Sequence, residues 1–481
     1  MIREFIDRWK SVLMRVSAIP LVFMGIGIYR AWLATFFRYD AFPGIGVFDY
    51  FIFEGAIGVA SFALAFSAKK IAPIWSNRAI TRATALCMVL GSTLVVLACF
   101  VLQSEILKII GLVVAGAGLA ALILMWAEFY GSMNPMRVAL YHAMGIFFGE
   151  VIKWLFLGMS APYLAFFAIV LPLVSIAWVK SSMRRLPEYD LPRKVAKSES
   201  FAFPWKPILL MSVCTFAGGF GALPGLPLVP GNVVGALLVT ALVFFGVLSE
   251  SKWFNFDTIY QLAFPLFIIG FLLVMPTFGS NPEVMAVCYD AGYTMLSMFI
   301  VIVLSSITYR FGISAVWLSG IERGIRYVVE LLGWGAFVVV SGHATQEMTS
   351  MIYTGLVIVM VVVFTVIFFT ERGLSAQWGI EVDTVGPLDK DQSPVAQAAR
   401  LSVRVSALSK KHNLSPREDE VLQLLARKET VSQIEQDLFV AEGTIKAHIS
   451  RIYRKLDVHS RDALYELLDS EGGLASSSTQ A

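Results

Sequence analysis

The amino-acid sequence predicts an all-α chain in two modules: a polytopic bundle of about twelve membrane-spanning helices over residues 1–370, and a four-helix soluble domain over residues 412–470. Three observations predict it. Apolar residues make up 57% of the chain and charged residues 15%, with a mean hydropathy of +0.71, whereas a soluble domain is about half apolar and a quarter charged. That excess stops near Phe369. The stretch beyond it returns to ordinary soluble composition, with apolar residues at helical spacing between clear cap and turn residues.

A spanning helix needs about 20 mostly apolar residues. By that rule the first six spans cover 17–37, 48–67, 83–103, 106–127, 136–158 and 161–179. The second six cover 207–224, 231–249, 258–276, 286–308, 313–340 and 351–369. A polar loop, 180–206, divides them six and six. The N-terminal stretch MIREFIDRWKSVLMR is charged and amphipathic without a cleavable signal pattern, and is expected along the inner membrane face. With the N-terminus inside, the inner loops hold eighteen Lys and Arg, and the outer loops only Arg38 and Lys108. Basic residues mark the cytoplasmic side, so both termini are expected in the cytoplasm of a cell carrying this chain in its inner membrane. The four cysteines (Cys87, Cys99, Cys214, Cys288) all fall in apolar segments without metal-ligand spacing, as buried thiols do.

An ionisable side chain at bilayer depth costs about 2.5–3.5 kcal/mol on insertion scales, so each needs a reason. Arg30 falls in the first span and Glu54 in the second. Glu150 and Lys153 stand three apart in the fifth, hence adjacent on its surface. Glu322, Arg326 and Glu330 repeat at i, i+4 in the eleventh, as an ion-pair ladder would. Three readings stay open: these groups neutralise one another and lock helix packing, or Arg30, Glu54, Glu150, Lys153, Arg326 and Glu330 line a polar site for a small-molecule signal, or they form a proton pathway. His142 reads as a packing residue and His343 as solvated. Neither a metal nor an organic cofactor is expected.

Residues 371–411 read as a linker whose first half is turn-rich and whose second half, from about Val395, is alanine-rich and helical. As flexible coil it would span roughly 35 Å. The soluble domain then opens on Ser415-Pro416, an N-cap with proline at the first helical position, followed by Glu418. Val421, Leu422, Leu424 and Leu425 give a first helix its apolar side, and Ile434 and Leu438 a short second one near 431–438. A tight turn at 439–442 leads to a third helix with Ile445, Ile449, Ile452 and Leu456 in one stripe, and a fourth follows the Ser460 cap. Two helices joined by a tight turn make a helix-turn-helix. Residues 471–481 read as a disordered tail.

The strings LSPREDEVLQLLA, EGTIKAHISRIYRKL and VHSR closely resemble the LuxR-type helix-turn-helix regulators over about sixty residues. The resemblance departs at Lys428, where a glycine is usual, and at Glu435, where a small residue is usual. It implies a third helix that enters the major groove of double-stranded DNA and a fourth that supports a homodimer. By family pattern Lys446, Ala447 and Ser450 meet base edges, and Thr444, Arg451, Arg454 and Lys455 meet phosphates. The domain is not basic overall, with eight Lys or Arg against eleven Asp or Glu over 412–470, but residues 444–455 hold four basic and no acidic side chains. The six-and-six layout around a basic loop is similar to the major facilitator superfamily, although SAKKIAPIWSNRAITRAT lacks the glycines and aspartate of that family's loop motif.

Together these features imply a membrane-bound one-component transcription regulator that senses through its spans and binds promoter DNA. The rival is a facilitator-type transporter with a fused regulatory tail. No nucleophile–base pair or phosphate-cradling loop points to an enzyme.

Overall fold

The structure is a computed structural model. It describes residues 19–37, 39–186, 203–221, 230–248, 282–343, 345–370, 408–426, 429–438 and 442–468, with isolated positions at 17, 265–266, 268–270, 272, 401 and 405. The amphipathic N-terminal stretch, most of the 180–206 loop and of the span expected at 258–276, the linker through 400 and the tail lie outside the described residues. The described residues are helical or irregular, with no strand among them. The chain divides into two compact units, residues 1–185 with 192–389, and residues 390–481 with 186–191.

In the first unit the helices are α1 Ile26–Phe37, α2 Val47–Ile71, α3 Arg78–Leu97, α4 Glu105–Tyr130, α5 Pro135–Phe156 and α6 Ala161–Arg185, then α7 Trp205–Phe220, α8 Pro230–Leu248, α9 Pro282–Phe311, α10 Ala315–His343 and α11 Gln346–Thr370. Eleven of the twelve expected spans thus coincide with a helix. Seven helices are long and apolar enough to cross a bilayer, and three shorter ones are apolar. Large apolar side chains such as Phe66, Val59 and Ile106 face outward at 69–74% exposure. A surface of that kind belongs in lipid, and the protein is a multi-pass membrane protein.

Local chemistry sets the helix ends. Asn77 caps α3 by accepting from the Ala79 and Ile80 amides, Ser104 caps α4, and Asn134 with Pro135 opens α5. The expected first span is broken: a 3-10 turn over Leu21–Met24 precedes α1. Gly25 sits between them, where a Cβ would stand 2.6 Å from the Trp126 ring. The third span opens into a π-helical turn over Ala98–Leu102 and ends at Gln103 in the left-handed region. The sixth runs on to Arg185, so the polar loop begins later than expected.

The bundle packs α2 against α10 and α4, α3 against α4, α7 against α10, α8 against α9 and α5, and α1 against α5. The α2–α10 seam is antiparallel: Phe51 stacks on Trp334 at 4.7 Å, Gly58 lies against Tyr327, Gly324 against Phe62, and Gly320 against Ala65. At the α1–α5 crossing a Cβ on Gly27 would be 2.2 Å from the Gly145 carbonyl oxygen. Only glycine admits that approach.

In the second unit α12 is Pro416–Ala426, α13 Val431–Leu438 and α14 Glu442–Leu456; residues 461–468 form α15. Ser415 and Glu418 cap α12 reciprocally, the Ser415 amide donating to Glu418 Oε2 at 2.8 Å and the Glu418 amide to Ser415 Oγ at 3.3 Å. Thr430 and Gln433 repeat the device at α13, and Ser460 caps α15 through the Ala463 amide at 3.0 Å. The core gathers Val421, Leu422, Leu425, Ile434, Ile445, Ile452, Leu456, Leu464 and Leu468. It also takes in Val405 and Leu408, both fully buried. The hydrophobic core therefore reaches back into the stretch read as linker, past the expected boundary at 412.

Candidate nucleic-acid interface and buried charge clusters

Helix α14 has two faces because its apolar residues recur every three or four positions. Ile445, Ile452 and Leu456 are buried in the core, while Ile449 is only partly covered. The seven residues expected to meet DNA (Thr444, Lys446, Ala447, Ser450, Arg451, Arg454 and Lys455) all occupy exposed positions. The helix before it and its own last turn are each tied down. Arg417 donates to the Leu438 carbonyl at 3.0 Å, holding α12 to the end of α13. At the far end His412 Nδ1 lies 3.0 Å from the Lys455 carbonyl oxygen.

Two of the four cations among them already have carboxylate partners. Lys446 pairs with Glu442 at 2.7 Å, both more than half exposed. Their hydrogen bond holds the Glu442 carboxyl below and the Lys446 ammonium above the usual range. A pair this exposed is weak, so it leaves Lys446 available to another anion. Lys455 is held differently: its ammonium bonds Glu418 at 2.7 Å and the Asn413 carbonyl at 3.1 Å. Glu418 is buried, and the hydrogen bonds it accepts from the Lys455 ammonium and from the Ser415 amide keep its carboxyl below the usual range. Lys455 thus bolts α14 to α12. Reasoning from sequence read it only as a phosphate contact.

Beside the exposed face lies a groove of about 620 Å³ lined by the half-buried Val431, Ile449 and Tyr453 and by the exposed Lys446, Ser450, Arg454 and Asp457. Arg461, at the start of α15, donates to the Glu429 carbonyl and to Tyr465 Oη, bracing one wall.

The charges that the sequence singled out in the first unit fall, among the described residues, in two groups. At the α1–α5 crossing Glu150 is fully buried, with Lys153 at 2.6 Å and Arg30 at 3.5 Å. Tyr39 donates to the Lys153 carbonyl at 3.0 Å. Asp290 of α9 stands within electrostatic reach of Lys153 and accepts from Asn232 of α8; sequence reasoning passed over both. On the α2–α10 seam Arg326 turns to Glu322, Nε to Oε1 at 2.8 Å, and Glu322 also meets Arg323 at 3.5 Å. The expected three-membered ladder closes by hydrogen bonds only on the Glu322 side: Glu330 lies within electrostatic reach of both Arg326 and Glu54, and the Glu54 carboxylate accepts from Tyr50. Arg326 Nη1 is buried without a hydrogen-bond partner.

Sequence reasoning also missed two buried charges that tie loops. Lys108, expected in an outer loop, is 4% exposed and bonds Asp49 at 3.1 Å, Glu105 at 2.6 Å and the Gly44 carbonyl. Glu128 of α4 accepts from the Ile74 and Trp75 amides at 2.8 and 2.9 Å, fastening the α2–α3 loop. His142 is buried with its ring 5.0 Å from that of Tyr130, as a packing residue.

The luxR family of bacterial regulatory proteins matches residues 412–468. Over 56 residues the chain is 43% identical to the spore germination protein GerE of Bacillus subtilis (strain 168), which covers 11% of this chain and 76% of that protein. Among solved structures, the major facilitator superfamily transporter FucP in its outward conformation aligns with a TM-score of 0.43 at 13% identity, over 72% of this chain and 98% of that one. The nucleoside transporter NupG aligns with a TM-score of 0.42 at 14% identity, over 72% and 98%.

Proposed function

We propose that this chain, which belongs through residues 412–468 to the luxR family of bacterial regulatory proteins, is a membrane-bound one-component transcription regulator. One observation carries the reading: a multi-pass apolar bundle and a domain of a DNA-binding regulator family are joined in one polypeptide. In this reading α14 enters the major groove, with Lys446, Ala447 and Ser450 at base edges and Thr444, Arg451 and Arg454 at phosphates. Their common exposure supports it. Lys455 contributes less to DNA than the other cations, because leaving Glu418 would uncover a buried carboxylate.

Promoter binding by a homodimer would place two α14 helices about one helical turn of DNA apart. The loop charge bias puts both termini in the cytoplasm, the side where DNA is. The signal enters through the first unit, and a small molecule binding there must have different affinities for two states of the bundle. The clusters at Glu150 and at Glu54–Arg326–Glu330 are the candidate input sites, supported by buried polar atoms without a hydrogen-bond partner, Arg30 Nε in the first and Arg326 Nη1 in the second. Genome-wide DNA occupancy of the intact protein, with and without candidate effectors, tests the whole reading. Discrete promoter peaks that vanish on deletion of residues 412–468 are the expected result; occupancy no different from that of the deletion would overturn it.

A further inference from the structure

We propose that the exposed face of α14 is also a docking surface for an anionic phospholipid bilayer, the membrane in which the first unit resides. The proposal rests on that face being a cationic side of the second unit, and only its regulatory consequence depends on the DNA reading above.

The chemistry of the face is two-layered. Lys446, Arg451 and Arg454 stand exposed along one side of α14, and no acidic residue lies between Gly443 and Lys455. Next to them the groove has an apolar floor of the half-buried Val431, Ile449 and Tyr453 under an exposed rim of Lys446, Ser450, Arg454 and one carboxylate, Asp457. A DNA backbone has no use for a greasy floor beneath the cations. A phospholipid does: its phosphate meets the rim while the glycerol and first methylenes meet the floor, the arrangement of an interfacial amphipathic surface.

The orientation follows from the rest of the unit. Residues 412–470 carry eleven acidic against eight basic side chains, so that stretch as a whole has no net attraction for an anionic bilayer, and Lys410 and Lys411 stand exposed just before it. Attraction survives only where the local cations face the headgroups within a Debye length of about 8–10 Å. The tether makes the encounter frequent. Thirty residues separate Thr370, the end of α11, from Leu401. Even fully extended they span about 100 Å, which keeps the face close to the bilayer surface at high effective concentration.

The consequence is competition. Headgroup phosphates and DNA phosphates seek the same Lys446, Arg451 and Arg454, so the bilayer is a resting seat from which the domain is released to DNA.

The test uses the full chain in nanodiscs of phosphatidylcholine alone or with phosphatidylglycerol, each containing a nitroxide-headgroup lipid as quencher. A fluorescent amino acid replaces Ser450 on the face or, in a second protein, the exposed Glu420 of α12. The expected result is quenching of the Ser450 probe about twofold or more greater in anionic than in zwitterionic discs, with the Glu420 probe unchanged. Arg451→Glu with Arg454→Glu should remove the difference, and an added duplex of arbitrary sequence should restore emission. Equal quenching in both discs, at both positions, or in the charge-reversed protein overturns the proposal. If the duplex binds but the lipid effect is absent, docking fails while the DNA reading stands. If the lipid effect is present but the duplex neither binds nor displaces, docking stands and the DNA reading falls.

Discussion

Lys455 and Glu418 meet at 2.7 Å, joining the last turn of α14 to the first turn of α12 across 37 residues of sequence. Glu418 also takes the Ser415 amide, so one carboxylate serves both a helix cap and an inter-helix bolt. The same carboxylate is 4% exposed, and the lysine it holds remains partly open to solvent.

Glu418→Gln is expected to destabilise the second unit by about 1 kcal/mol, as loss of a cap and a partly exposed ion pair does. The carboxyl is held below its usual range in the folded state. Its contribution is therefore present above the unfolded pKa of roughly 4.3 and is lost as pH falls through the folded value. Hydrogen exchange of residues 416–456 in the intact protein, followed from pH 7 towards pH 3, should show this loss in the natural sequence and a flatter profile in Glu418→Gln.

Leu408→Ala is expected to cost the second unit about 2–5 kcal/mol, the usual range for emptying a fully buried leucine site. The side chain is 0% exposed in the core around Leu425 and Ile452. Limited proteolysis should cut within residues 412–468 in the variant under conditions that spare the natural protein. No change would mean that the core begins at 412 after all.

Glu150→Ala leaves Arg30 and Lys153 facing each other without their shared carboxylate. Removing one partner of a buried ion pair costs about 3–5 kcal/mol, to be read as a lower melting temperature of the detergent-solubilised protein. Gly27→Val should do comparable harm, because a Cβ there meets the Gly145 carbonyl oxygen at 2.2 Å and drives α1 from α5.

Arg451→Ala should weaken DNA binding across sequences and reduce the salt slope by about one. Ser450→Glu should weaken it further by setting a carboxylate against the DNA. Glu442→Gln should act in the opposite direction, because it frees Lys446 from its exposed partner. Gel-shift titrations at two salt concentrations distinguish the three. An unchanged affinity in all of them would remove α14 from the DNA interface.

The local code carried the helices. Span positions followed from hydropathy, and caps such as Ser415, Ser460 and Asn77 act through neighbours three residues away or fewer. The stripe Ile445–Ile452–Leu456 went inward because 3.6-residue periodicity leaves it no other side. What the periodicity leaves open is how far a stripe is covered, and Ile449, in the same stripe, remains on the groove floor.

Pairings between distant residues were another matter. From sequence alone, Lys108 stands in a loop between two spans, and its burial against Asp49 and Gly44 depends on how α4 packs beside α2. Glu330 stands one turn from Arg326, an ideal local partner, yet Arg326 bonds Glu322 and Glu330 faces Glu54 across the α2–α10 seam. Val405 and Leu408 lie in a segment whose composition looks like linker, and the core formed by α12 and α14 is what buries them. By itself the sequence determined two modules, the helices within them and the family of the second, because those properties reside in composition, periodicity and residues close along the chain. Only the tertiary structure decided which buried charge meets which, because that choice belongs to helices brought within a few ångströms by glycine contacts such as Gly27 on Gly145, and no local pattern encodes the approach.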